Sequence, residues 1–149
     1  MNTFRKAFIT SILLLTILTT AAIESSATEY EGVVKATQIK KTTTASNGQE
    51  LEYLKTDSPE VTVLMVEIPA GGETGWHIHP VPVYGYMLSG AITIEMENGE
   101  KHDFREGDAI LEVINMPHNG KNMGTIPAKL VVFYTGEQGK PNTVKVGSK

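Results

Sequence analysis

The chain has 149 residues, a formal net charge of −4 and no cysteine. That length suits one domain with one core, and the mild acidity argues against nucleic acid or an anionic membrane as partner. Without cysteine there are no disulfides and no lipid-anchored lipoprotein, so packing or metal must hold the fold. Arg5 and Lys6 open the chain, a largely apolar run follows from Ala7 to Ile23, and small residues lead to Ser25-Ser26-Ala27. A basic start, an apolar middle and a small-x-small exit describe a secretory signal peptide over 1–27. Cleavage is expected after Ala27, with Ala22 the second choice, giving a periplasmic or secreted product with no membrane attachment. The same run reaches the lower length limit of a spanning helix, so a retained anchor is the alternative.

Residues 28–60 are polar and rich in Thr, Lys and Gln, with weak strand signals over Val33–Lys41 and a turn at Ser46-Asn47-Gly48. They read as an arm and edge strands, their lysines as a solvated face. From 61 to 136 the strand pattern sharpens. Val61–Ile68 is β-branched and apolar and ends at Pro69. Val83–Leu88 is a second apolar stretch, closed by Ser89-Gly90. In Ala91–Glu97, Ile92, Ile94 and Met96 alternate with Thr93, Glu95 and Glu97. That is a half-buried strand. Asn98-Gly99 then predicts a type I′ hairpin turn, with positive φ at both residues. Lys101–Phe104 returns, with His102 facing solvent. Arg105-Glu106-Gly107-Asp108 turns again, Ala109–Ile114 and Leu130–Tyr134 are further strands, and 137–149 is a polar tail. No segment holds a helical period, and many short strands punctuated by Gly, Pro and Asn indicate an all-β sandwich or barrel.

The chemistry concentrates in three histidines. His77 and His79 follow a glycine-rich turn, and residues i and i+2 of a strand share one face. His118, on a neighbouring strand, can complete a facial metal site. The stretch Gly71-x5-His77-x-His79-x3-Val83-x6-Gly90 resembles the first cupin motif, G-x5-H-x-H-x3,4-E-x6-G. Gly107-x5-Val113-x-Asn115-x2-His118-x3-Asn122 resembles the second, G-x5-P-x-G-x2-H-x3-N. The resemblance is to the small single-domain bacterial cupins. It implies a double-stranded β-helix, or jelly-roll barrel, a divalent metal held by His77, His79 and His118, and a homodimer. The chain departs from the motifs in three places: Val83 stands where the motif glutamate belongs, Val113 replaces the proline and Asn115 the glycine.

Three neutral imidazoles leave a bound M²⁺ with its full charge, which favours a bound hydroxide or an anionic small-molecule ligand. Zinc or iron(II) is favoured on that donor set, then nickel or copper, with manganese last because it prefers oxygen ligands. Glu112 is the candidate to replace the lost carboxylate: facing inward it is a fourth ligand or general base, facing outward a solvated strand residue. Tyr84, beside Val83, is the other candidate for proton transfer. Glu73 reads as surface. Trp76, Tyr84, Tyr86 and Met87 divide between pocket lining and core, and Asn115, Asn119 and Asn122 read as turn residues or as hydrogen-bond partners of the ligand histidines. The functional expectation is a metal-dependent enzyme of dioxygenase, isomerase or hydrolase type acting on a small anion. The alternatives are a non-catalytic small-molecule or metal-binding module and a barrel whose metal serves only stability.

Overall fold

Strand alternation organises the molecule. In a computed structural model that describes residues 33–147, nine strands form: β1 (Pro59–Ile68), β2 (His77–Ile78), β3 (Val83–Ser89), β4 (Ala91–Met96), β5 (Lys101–Arg105), β6 (Ala109–Leu111), β7 (His118–Lys121), β8 (Ala128–Glu137) and β9 (Val144–Lys145). The signal segment expected over 1–27 lies outside the described residues. The account that follows is of the unit beginning at Thr37. No helix occurs among the described residues. Two antiparallel sheets, ordered β1-β8-β3-β6 and β5-β4-β7-β2-β9, make a jelly-roll barrel.

Every second residue enters the core between the sheets: Val83 and Met87 of β3, Ile92, Ile94 and Met96 of β4, and Ala128, Leu130, Val132 and Tyr134 of β8 are all buried. The opposite parity faces out, so Val63 and Phe133, paired across β1 and β8, are exposed. Met87 is therefore core, as one of its two readings allowed.

Four local expectations are corrected. Val33–Lys41 forms no strand. The following segment instead covers the edge beyond β6 with side chains: Ser46 donates to the Leu111 carbonyl through N (3.0 Å) and Oγ (2.8 Å), while Gln49 Oε1 accepts from Ile114 N at 2.8 Å. The strand expected over Ala109–Ile114 ends at Leu111. Beyond it the ladder gives way to separate bonds, from Glu112 N to the Val83 carbonyl (3.0 Å) and from Asn115 N to the His79 carbonyl (2.9 Å). The Asn98-Gly99 hairpin is not type I′, because Asn115 is the one non-glycine residue with positive φ among those described. Gly99 N donates to the Met96 carbonyl, and Met96 N to that of Glu100. The loop thus has three residues and closes on a left-handed glycine (φ 86°), the form in which a tight turn is followed by a bulge. Asn98 Oδ1 accepts from Glu100 N, which stabilises that choice. His102, expected in solvent, is half-buried with Nε2 2.8 Å from Glu100.

Gly90, between β3 and β4, has φ 73°, and a Cβ there would lie 2.8 Å from both Ala128 Cα and the Pro127 carbonyl. Gly90→Ala is expected to cost about 2–4 kcal/mol, from left-handed strain plus overpacking against backbone. Urea denaturation checks it, and a loss under 1 kcal/mol contradicts this account.

Candidate metal centre

Strand β2 is short but has a partner on each side. His77 is paired with His118 of β7 and with Lys145 of β9, and Ile78 with Val144. Directly opposed residues present their side chains on the same face, so the pairing alone brings His77 and His118 together. His79 follows one residue beyond β2, and the three ring centroids lie 4.4 to 5.0 Å apart. All three histidines are buried.

Each ring is anchored at Nδ1 by a backbone carbonyl. His77 donates to Gly75 (2.7 Å), His118 to Met116 (2.8 Å) and His79 to Asn142 (2.9 Å), with Thr143 Oγ1 also 3.2 Å from His79 Nδ1. A carbonyl only accepts, so the neutral ring carries its proton on Nδ1 and its lone pair on Nε2. The asparagines expected as candidate partners do other work. Asn122 bonds the Ile68 and Ile126 carbonyls, Asn119 donates to Glu73, and Asn115 makes its turn at φ 57°. Glu73 is exposed, as expected.

Glu112 faces inward. Its Oε2 lies 3.0 Å from His118 Nε2 and 3.3 Å from His79 Nε2, while His77 Nε2 is 3.2 Å from His79 Nε2. The four side chains each offer one ligand atom, all within 4.8 Å of one another. Bonds of about 2.0–2.2 Å to one ion separate neighbouring donors by about 3.0–3.5 Å, so the spacing fits a common metal. The donor chemistry agrees. With both Nδ1 protons committed to carbonyls, the neutral His77 and His79 rings turn lone pairs toward each other across 3.2 Å, an arrangement that a cation between them relieves. The group could hold a metal.

The electrostatics are those of a buried anion among imidazoles. Burial pushes the Glu112 carboxyl up, but hydrogen bonds and charge from His118 and His79 more than reverse this and hold it at about 2. Burial lowers His118, yet its bond to Glu112 outweighs that and raises it. His77 is lowered by burial first, with the neighbouring histidines adding to the effect.

Tyr84 is not part of this group. Its inward neighbour Val83 is 1% exposed, and alternation turns Tyr84 to the outer face, where it lines a surface cavity with Leu51, Tyr53 and Val61. The phenol on the inner wall is Tyr134, whose ring centroid is 5.5 Å from that of His79. Burial first, then the Glu112 charge, raise its pKa. It was legible as the inward member of the series Leu130, Val132, Tyr134. Trp76 lines a separate small cavity with Glu95 and Met96.

Fold and donor set define a jelly-roll barrel with an internal site of three histidines and one carboxylate. Residues 64–134 match the family model of the cupin domain. No curated protein matches the chain. Among solved structures it is similar to the Bacillus halodurans protein BH2720, at 26% identity over 57% of this chain and 69% of that one, with a TM-score of 0.49. It is also similar to the DMSP lyase DddQ from Ruegeria pomeroyi, at 22% identity over 63% of this chain and 46% of that one, TM-score 0.52. A third is the polyketide cyclase RemF from Streptomyces resistomycificus, at 19% identity over 58% and 62%, TM-score 0.50. At these identities the likeness to the lyase and the cyclase shows the cupin fold, and the chain spans less than half of the lyase.

Proposed function

We propose that this chain is a metal-dependent enzyme acting on a small anionic molecule, with one divalent transition metal held by His77, His79, His118 and Glu112. The observation that carries this reading is the convergence of three carbonyl-anchored Nε2 lone pairs and one carboxylate oxygen within 4.8 Å. Bound there, a divalent ion supplies Lewis-acid polarisation of a ligand oxygen. The chain orients the rings through Gly75, Met116 and Asn142. Glu112 supplies a carboxylate in place of the one missing at Val83, and that anionic oxygen makes manganese a better candidate than three histidines alone would, beside zinc, iron(II) and nickel. The leader pattern over 1–27 supports an exported location for this activity.

One observation favours a second reading, a non-catalytic binding module. Apart from Tyr134, every titratable side chain among the described residues that line the cavity belongs to the donor set.

Elemental analysis of the tag-free protein tests the proposal beside a His77→Ala/His79→Ala variant. About one equivalent of a single transition metal is expected in the wild type and none in the variant. No metal in either, and none taken up from added Zn²⁺ or Fe²⁺ without oxygen, removes the metalloprotein reading. Metal at 100 times its Kd is expected to add about 2.7 kcal/mol, which raises Tm by about 10 °C for a domain of this size. A chelator should reverse that shift in a thermal melt.

A further inference from the structure

The cavity into which the donor set opens is small, and the described residues give it no cationic side chain. Its volume is about 60 Å³, enough for about four water-sized groups at about 15 Å³ each and far below the several hundred Å³ of a site for drug-sized ligands. Beyond the four donors its walls are mainly aliphatic: Val66, Ile68, Ile92, Ile94, Leu130 and Val132, from strands of both sheets. Among the described residues no lysine or arginine lines it. The polar side chains on its walls are already engaged. Thr74 Oγ1 bonds Asn119 and Gly120, and the Tyr134 ring packs edge-on against His79.

These facts restrict what can enter. A divalent metal beside the Glu112 carboxylate leaves one uncompensated positive charge. A monoanion neutralises it, whereas the second charge of a dianion would lie against isoleucine, leucine and valine with no counter-charge, which burial penalises. Resting on the metal-site reading above, we infer that the site selects a monovalent carboxylate with at most a short aliphatic tail, and rejects dicarboxylates and phosphate esters. The metal reads the carboxylate and the aliphatic walls read the tail. Leu130, buried at the wall, sets the tail's length.

The test uses the full chain loaded with Co²⁺, whose stoichiometry is first measured by elemental analysis and whose visible spectrum reports ligand exchange. Acetate, propionate, isovalerate, malonate and inorganic phosphate are titrated separately. Acetate and propionate are expected to shift the spectrum saturably and to bind at least tenfold tighter than malonate or phosphate. Leu130→Ala is expected to raise the ratio of isovalerate to acetate affinity at least fivefold. If that variant misfolds, Leu130→Val reads the same direction with a smaller change. Malonate binding as tightly as acetate would overturn the proposal, because malonate gains a second donor oxygen wherever its second charge is tolerated. A cobalt spectrum that no carboxylate perturbs would also overturn it while leaving the metal site standing. Failure to take up cobalt, zinc or iron removes the metal site and this inference with it.

Discussion

Glu112→Gln is expected to leave a folded barrel that holds zinc or iron(II) about 100-fold or more weakly than the wild type, read by competition with a chelator. Losing an outer partner of a ligand costs about 10–100-fold in affinity, and Glu112 is the single anionic donor of the group. A neutral amide keeps the side chain's shape and removes the charge. The decisive partner experiment moves the carboxylate. Pairing of Tyr84 with Leu111 and of Gly85 with Ile110 places position 83 opposite position 112, and Glu112 N donates to the Val83 carbonyl at 3.0 Å. Opposed residues share a face, and Val83 is buried. The double variant Val83→Glu/Glu112→Val is therefore expected to recover metal affinity to within about tenfold of the wild type. A folded double variant that does not recover would show that position 83 cannot reach the metal. Wild-type affinity in Glu112→Gln would reduce Glu112 to an ion-pair partner.

The second large effect belongs to the segment after β8. Ending the chain at Gln138 removes β9, the Asn142 carbonyl and Thr143, and with them both partners of His79 Nδ1 and one neighbour of β2. The expected result is a loss of metal affinity of about 10–100-fold, the usual cost of an unheld ligand histidine, with a lower Tm. Thr143→Val, which keeps the carbonyl, is expected to lose only a few-fold. If truncation lowers Tm but leaves metal affinity intact, the segment supports the fold alone and does not orient His79.

The contrast between what the sequence made visible and what it hid has physical causes. His77 and His79 were readable because strand parity is local, and His118 because its spacing from Gly107 and Asn122 matched a motif. The inward rows of β4 and β8 were readable for the same reason as the histidine pair. Glu112 was ambiguous because its apolar neighbours on both sides, Leu111 and Val113, give no alternation from which to read a face; its direction comes from register with β3. Tyr84 stands next to the missing glutamate in sequence, but adjacency in a strand means opposite faces. The turn at Asn98-Gly99 followed loop length rather than dipeptide preference. The strap at 142–145 had no signal: a two-residue strand has too few positions to alternate, and its partner lies more than sixty residues away.

That distance sets an order of assembly. His79 is held by a carbonyl 63 residues further along the chain, whereas His77 and His118 are held by carbonyls two residues away. During synthesis two of the three rings can be oriented as soon as their own turns form. The third waits until residue 142 has been made and β9 has closed on β2. A chain ending before that point would carry all four candidate ligands and lack the carbonyl that holds His79.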